Sequence, residues 1–136
     1  EARINVFDMQ TGEIQPVFVG DYTATEPQIE TLEPDISADG RFVTFWIGAA
    51  KQGSPSIGGQ YEQWTLYLVD RETGETQTVP TPPYGEGSIL TFRPVTAQPA
   101  PDISADGRYI AFASLRADIV PEHTSSYFDI FVYEVP

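Results

Sequence analysis

Eight consecutive residues, Pro34-Asp35-Ile36-Ser37-Ala38-Asp39-Gly40-Arg41, recur letter for letter as Pro101-Asp102-Ile103-Ser104-Ala105-Asp106-Gly107-Arg108. Each copy runs into an aromatic and β-branched stretch, Phe42-Val43-Thr44-Phe45-Trp46-Ile47 and Tyr109-Ile110-Ala111-Phe112-Ala113. A letter-perfect repeat 67 residues apart (101 − 34) in a chain of 136 marks a repeat architecture, and it constrains the fold before any local pattern does.

The phrase reads as strand, turn, strand. Asp-Gly between two strand-like runs is a hairpin signal, because Gly tolerates positive φ and Asp can bond its own backbone. Ser37 and Asp39, like Ser104 and Asp106, suit the exposed amides of such a turn. Arg41 and Arg108 open the second strand with a charge at the sheet rim. That strand is apolar on both faces, as expected of a strand packed on two sides.

A second repeat is less strict. Aligning Asp8 with Asp70 also aligns Thr11-Gly12-Glu13 with Thr73-Gly74-Glu75, and Val17 with Val79. Strands are expected at residues 3–8, 14–19, 63–70 and 75–79, with a final strand at 127–133 matching 63–69. Residues 20–33, 49–62 and 115–126 read as loops, 80–88 as irregular, and 89–92 as a short extra strand. The strand type ending at Asp8 returns at Asp70 and Glu134, at spacings of 62 (70 − 8) and 64 (134 − 70), so the chain spans two whole periods. No stretch shows helical periodicity with caps, and the fold class is all-β.

The length fits one domain, with 8 Phe, 7 Tyr and 2 Trp to build a core. Seven basic against 20 acidic residues give a net charge of −13, a field that repels nucleic acid and anionic membrane surfaces. No run approaches the ~18 apolar residues of a membrane-spanning helix. With no cysteine there is neither disulfide nor thiol chemistry. The chain opens at Glu1 rather than Met and shows no signal peptide, which reads as a processed or excised piece with any targeting segment outside it.

The phrase, followed by Asp129-Ile130-Phe131-Val132-Tyr133 and accompanied by Thr-Gly-Glu, resembles the TolB-type (WD-like) β-propeller repeat. Residues 102–133 resemble most a bacterial subgroup whose longer loop carries Val-Pro, here within Asp118-Ile119-Val120-Pro121. The resemblance covers residues 3–19, 34–48, 63–79 and 101–134. It implies four-stranded blades packed face to face around an axis, in bacterial proteins that are mostly periplasmic or extracellular and bind other proteins. Similar propellers also serve as gating domains on peptidases. On this reading residues 1–136 form one propeller segment, with blade repeats at about 34–80 and 101–136 and a partial blade at 1–19. A closed ring needs at least about four blades. The chain is then an incomplete propeller or the repeating unit of an oligomeric one, three copies supplying six blades. The strands at 4–8 and 130–134 would compete for one place in such a ring.

Catalytic and metal chemistry find little support. Asp35-x-Ser37-x-Asp39-Gly40 opens like an EF-hand loop, but the twelfth position, which needs Glu, is Trp46 in one copy and Ala113 in the other. His123 is the only histidine; Ser125, Ser126 and Asp129 lie near it, without a Gly-x-Ser-x-Gly elbow. It reads as a loop residue, and zinc has no ligand set. No carboxylate pair is nominated for glycoside chemistry, and Asp118 and Glu122 read as a solvated loop rather than a cation site. Phe45, Trp46, Trp64, Phe112 and Phe131 read as packing residues rather than a ligand platform. No catalytic, cofactor-binding or metal residue is therefore nominated, and no cofactor is expected. The function expected is a non-enzymatic protein-interaction or scaffold module. Self-assembly, including a homotrimer, and an accessory domain of a secreted hydrolase or peptidase are the alternatives.

Overall fold

The structure, a computed structural model, describes residues 2–20, 29–49, 63–79, 100–114 and 129–136. Nine strands form three antiparallel sheets among them, with no helix. The N-terminal sheet pairs β1 (Ala2–Phe7) with β2 (Ile14–Gly20). The central sheet runs in chain order through β3 (Ile29–Ile36), β4 (Phe42–Ala49), β5 (Gln63–Asp70) and β6 (Thr76–Thr78). The C-terminal sheet holds β7 (Asp102–Ile103), β8 (Tyr109–Ser114) and β9 (Asp129–Glu134).

The two repeated sequences fold into two repeated turns. In the first, Ser37 N–H donates to the Phe42 carbonyl at 2.9 Å and Gly40 N–H to the Ser37 carbonyl at 2.8 Å. The Ser37 hydroxyl donates to Asp39 Oδ1 (2.6 Å) and accepts from Phe42 N–H (3.0 Å), while Asp39 Oδ1 also accepts from Arg41 N–H (3.0 Å). Ser104, Asp106, Gly107, Arg108 and Tyr109 repeat each of these bonds to within about 0.1 Å. Gly40 and Gly107 take φ of 74° and 72°, the left-handed conformation that Gly adopts without a Cβ penalty. The Thr-Gly-Glu turns match likewise. Asp8 Oδ1 accepts from Gln10 and Thr11 N–H, Asp70 Oδ1 accepts from Glu72 and Thr73 N–H, and each Thr hydroxyl accepts from the following Glu amide.

The central sheet is buried on both faces, as the doubly apolar sequence of β4 predicts. Val43, Phe45 and Ile47 share one face with Tyr67 and Val69 of β5, and Ile4, Val6, Val17 and Phe18 of the N-terminal sheet pack against it. Trp46 lies on the other face with Leu66 and Leu68, where Val79, Ile103, Ile110 and Phe112 complete the cluster. Phe45 stacks on Tyr67 at 5.9 Å, and Trp46 meets Phe112 edge-on at 6.1 Å, geometries that aromatic quadrupoles favour. Thr44 is fully buried, and its hydroxyl donates to the Tyr67 carbonyl at 2.9 Å, so the polar group is satisfied. The packing roles expected of Phe45, Trp46, Phe112 and Phe131 hold, whereas the Trp64 side chain lies outside what is described.

Two expected loop boundaries are corrected. Residues 29–33, read as part of a loop, belong to β3, which pairs with β4 from Ile29↔Ala49 onward. A bulge between Leu32 and Asp35 admits one extra residue, and Glu33 sits there at φ 53°. The bulge takes up Pro34, which has no N–H to give to a ladder, so the strand continues past a residue that reads as its start. Ala49, read as loop, closes β4 for the same reason. Residues 1, 21–28, 50–62, 80–99 and 115–128 lie outside the described residues, and with them the rest of the expected loops, the expected strand at 89–92, His123, Asp118 and Glu122.

Gly12 and Gly107 form a matched pair for a stability test. Both have φ above 70°, but a Cβ on Gly12 would meet nothing within 4 Å, whereas one on Gly107 would lie 2.2 Å from Phe42 Cδ2. Gly12→Ala should cost only the left-handed penalty, about 1–2 kcal/mol, and Gly107→Ala more than about 3 kcal/mol, since it adds overpacking between two sheets. Denaturant midpoints of the two variants check this; equal losses would mean that the Phe42 ring yields freely.

Candidate interaction surface

The repeat turns place one ion-pair network at the rim of the central sheet. Arg41 closes its turn and reaches across to the end of β5. Its Nε and Nη2 donate to Asp70 Oδ1 and Oδ2 at 3.0 and 2.6 Å, a two-pronged bond, and Nη1 lies 3.1 Å from Glu72. The corresponding pair in the C-terminal sheet, Arg108 and Glu134, is looser at 3.6 Å and more exposed. The rim position expected for both arginines is therefore correct. Arg71 ties the N-terminal sheet to this rim, donating to Gln15 Oε1 and to the Gly40 carbonyl.

Hydrogen bonding shapes the electrostatics of these turns. The Asp70 carboxyl is held well below the usual carboxylate range, first by the Arg41 guanidinium and then by the Glu72 and Thr73 amides. Asp39 and Asp106 are lowered chiefly by the Ser37 and Ser104 hydroxyls, and Asp8 chiefly by the Gln10 amide. Asp35 and Asp39, the residues that imitate an EF-hand opening, direct oxygens at protein donors. Among the described residues no group of three or more His, Asp or Glu is placed to hold a metal ion.

Asp35 has a role that the turn does not require. Its Oδ2 accepts from Ile103 N–H at 2.8 Å, joining the central sheet to the C-terminal one. Ala38 N–H, donating to the Ala105 carbonyl at 3.2 Å, makes a second bridge. Reading the sequence missed this function, although a signal was present. The Asp ahead of the turn is repeated as strictly as the residues within it, which turn chemistry alone does not explain.

Burial separates equivalent residues. Leu66 and Leu68 correspond to Ile130 and Val132 at an offset of 64 (130 − 66), yet the leucines are buried while Ile130 and Val132 are 77% and 67% exposed. Strand alternation puts both on the face of the C-terminal sheet turned away from the central sheet, since Ile110 and Phe112 point inward. The expectation of two-sided packing thus holds for β4 and only on one side for β8. At the opposite end of the stack, Phe7 and Ile14 face each other across the β1–β2 ladder and are 56% and 57% exposed. Ile130 and Val132 adjoin on one strand face, an exposed apolar pair of the kind from which interaction patches are built. Among the described residues this face offers apolar area to bury and sheet-edge backbone groups to hydrogen-bond.

In comparisons with known proteins, no family model matches the chain and no curated protein resembles it closely enough to count as a relative.

Two substitutions test the electrostatic reading. Asp35→Ala should lower stability by about 1–3 kcal/mol, the range for a part-buried bond to a charged acceptor, because it strands the Ile103 amide between sheets; an unchanged urea midpoint would show the bridge to be idle. Asp70 has a depressed carboxyl in the folded state, so its contribution is present above the ordinary value of about 3.9 and lost as pH falls from there toward the depressed value. Asp70→Asn should reduce stability at pH 7 and flatten the decline in stability below about pH 4. Parallel acid limbs in the two proteins would remove Asp70 from the account.

Proposed function

We propose that the chain is a non-enzymatic protein-interaction or scaffold module built from TolB-like propeller blades. Each sheet, on this reading, is a blade or part of one. The N-terminal sheet is an outer half-blade, the central sheet a full blade, and the C-terminal sheet a blade with three of its strands described. Periplasmic or extracellular placement accompanies the same family resemblance. The observation that carries the reading is the exposed Ile130–Val132 face, which repeats residue by residue a face that the central sheet buries. The net charge of −13 favours protein over nucleic acid as the partner of such a face.

A partner that binds through this face should be captured saturably by the immobilised wild-type chain, and free chain should compete for it. Val132→Glu should weaken that capture by at least about tenfold, because a carboxylate would be buried without a partner. Capture that is indifferent to Val132→Glu and to the paired variant Ile130→Glu would place function on another surface and sink this assignment.

A further inference from the structure

The step from the central sheet to the C-terminal sheet rests on three contacts. Asp35 accepts the Ile103 amide, Ala38 N–H donates to the Ala105 carbonyl, and the Phe42 ring lies against Gly107. The positions that would give these contacts a second time are Asp102, Ala105 and Tyr109, 67 residues further on (102 − 35). Tyr109 is 40% exposed, and Asp102 and Ala105 are exposed as well. The positions that would receive them are Ile36, Ala38 and Gly40 of the central sheet. Ser37 N–H donates to Phe42, so alternation turns Ile36 N–H off the open edge of β3, as Ile103 N–H is turned off β7 toward Asp35. Among the described residues Asp102, Ala105 and Tyr109 thus hand these contacts to no neighbour, and of the receiving positions Gly40 now carries the Arg71 guanidinium, which Tyr109 would displace.

The apolar faces agree with this. The face of the central sheet formed by Val43, Phe45, Ile47, Tyr67 and Val69 is covered by Ile4 and Val6 of β1. At offsets of 62 (66 − 4) and 64 (130 − 66), Ile4 and Val6 are the equivalents of Leu66 and Leu68, and so of Ile130 and Val132. β1 and β9 are thus alternative occupants of one seat. The β1–β2 hairpin brings two strands to it and no counterpart of Asp35. The C-terminal sheet brings β7, β8 and β9 together with Asp102.

We infer that the C-terminal sheet of one copy docks on the central sheet of a second copy, β9 taking the seat of β1 and Asp102 accepting the Ile36 amide. This rests on the interaction-module reading and names the partner as a second copy of the same chain. Continuity with the interface already inside the molecule fixes the geometry: the new joint is the old one advanced by one repeat. Because each copy keeps one donor end and one receiving end, the association is head to tail. Two chains of −13 repel each other, so added salt strengthens the docking.

The test is absolute mass by light scattering after size exclusion, over a dilution series of the full chain and four variants. Wild type should rise from 15.0 kDa toward whole multiples of it as concentration increases. Val132→Glu should weaken association by at least about tenfold, and Asp102→Ala by about fivefold or more, each with an unchanged circular-dichroism spectrum. Ile4→Ala loosens the resident hairpin and should strengthen association by about tenfold, and adding Val132→Glu to it should restore the monomer. That opposite pair separates seat exchange from general stickiness, for which loosening β1 would not be reversed by a charge on β9. Wild type and Ile4→Ala that both stay at 15.0 kDa overturn the inference, as does association indifferent to Val132→Glu. Either result leaves the interaction-module reading to the capture experiment, whose readout is a different protein.

Discussion

Burial of the central sheet on both faces is the constraint from which the rest follows. A strand whose alternate residues are Val43, Phe45, Ile47 and Thr44, Trp46 has no face to turn to water. A single sheet cannot satisfy it, so a neighbour is needed on each side, and the chain supplies one from each end. Each fully buried Leu or Phe contributes about 1.5–3 kcal/mol by removal from water, so the two clusters around β4 and β5 dominate the stability of the described structure. Leaving either face open would forfeit several such residues at once.

The second determinant is how an acidic chain keeps its carboxylates from opposing the fold. Asp8, Asp39, Asp70 and Asp106 each accept N–H or O–H bonds inside a turn, where their charge is useful. A carboxylate that accepts two or three such bonds is stabilised as the anion, so its charge at the rim supports the turn. The strict identity of the phrase follows from a double duty. Ser, Asp and Gly close the turn, Arg reaches the end of the neighbouring strand, and Asp with Ala addresses the next sheet. In the first copy a substitution at any of these would be felt within one sheet or between two, while the strands flanking the phrase differ between copies as Phe-Val-Thr and Tyr-Ile-Ala.

Much of this arrangement was legible in the sequence where local chemistry decides it. The four turns, the all-β class, the boundaries of β5 and the two-sided packing of β4 follow from Asp-Gly, Thr-Gly-Glu and an unbroken apolar run. Features that depend on pairing partners were not legible. β3 begins at Ile29 because the long β4 offers Ala49 and Gly48 as mates to Ile29 and Glu30, and Pro34 hides this by suggesting a break that a bulge in fact absorbs. The bridge from Asp35 to Ile103 spans 68 residues (103 − 35), and no local pattern encodes it. The exposed face was half legible: matching 127–133 to 63–69 identifies Ile130 and Val132 as counterparts of core leucines, but only the packing shows that nothing among the described residues covers them.

The divergence between equivalent residues bears most directly on function. Leu66 and Leu68, Ile4 and Val6, and Ile130 and Val132 occupy one repeat position in three sheets, and the first two pairs face a neighbouring sheet. Single exposed apolar residues are ordinary on a protein surface, but Ile130 and Val132 stand where both other copies of the position meet a neighbouring sheet. The polar alternation is carried by Asp129 and Glu134 at the strand ends, while the face between them stays aliphatic. Asp102 adds to this: among the described residues it accepts no bond, yet it belongs to a phrase whose first copy uses the matching Asp35 to join sheets. Apolar pair and carboxylate both make sense as one half of a joint, and a joint requires a partner with the complementary half. On the proposed reading as an interaction module, these residues repeat the contacts that the molecule already makes between its own sheets.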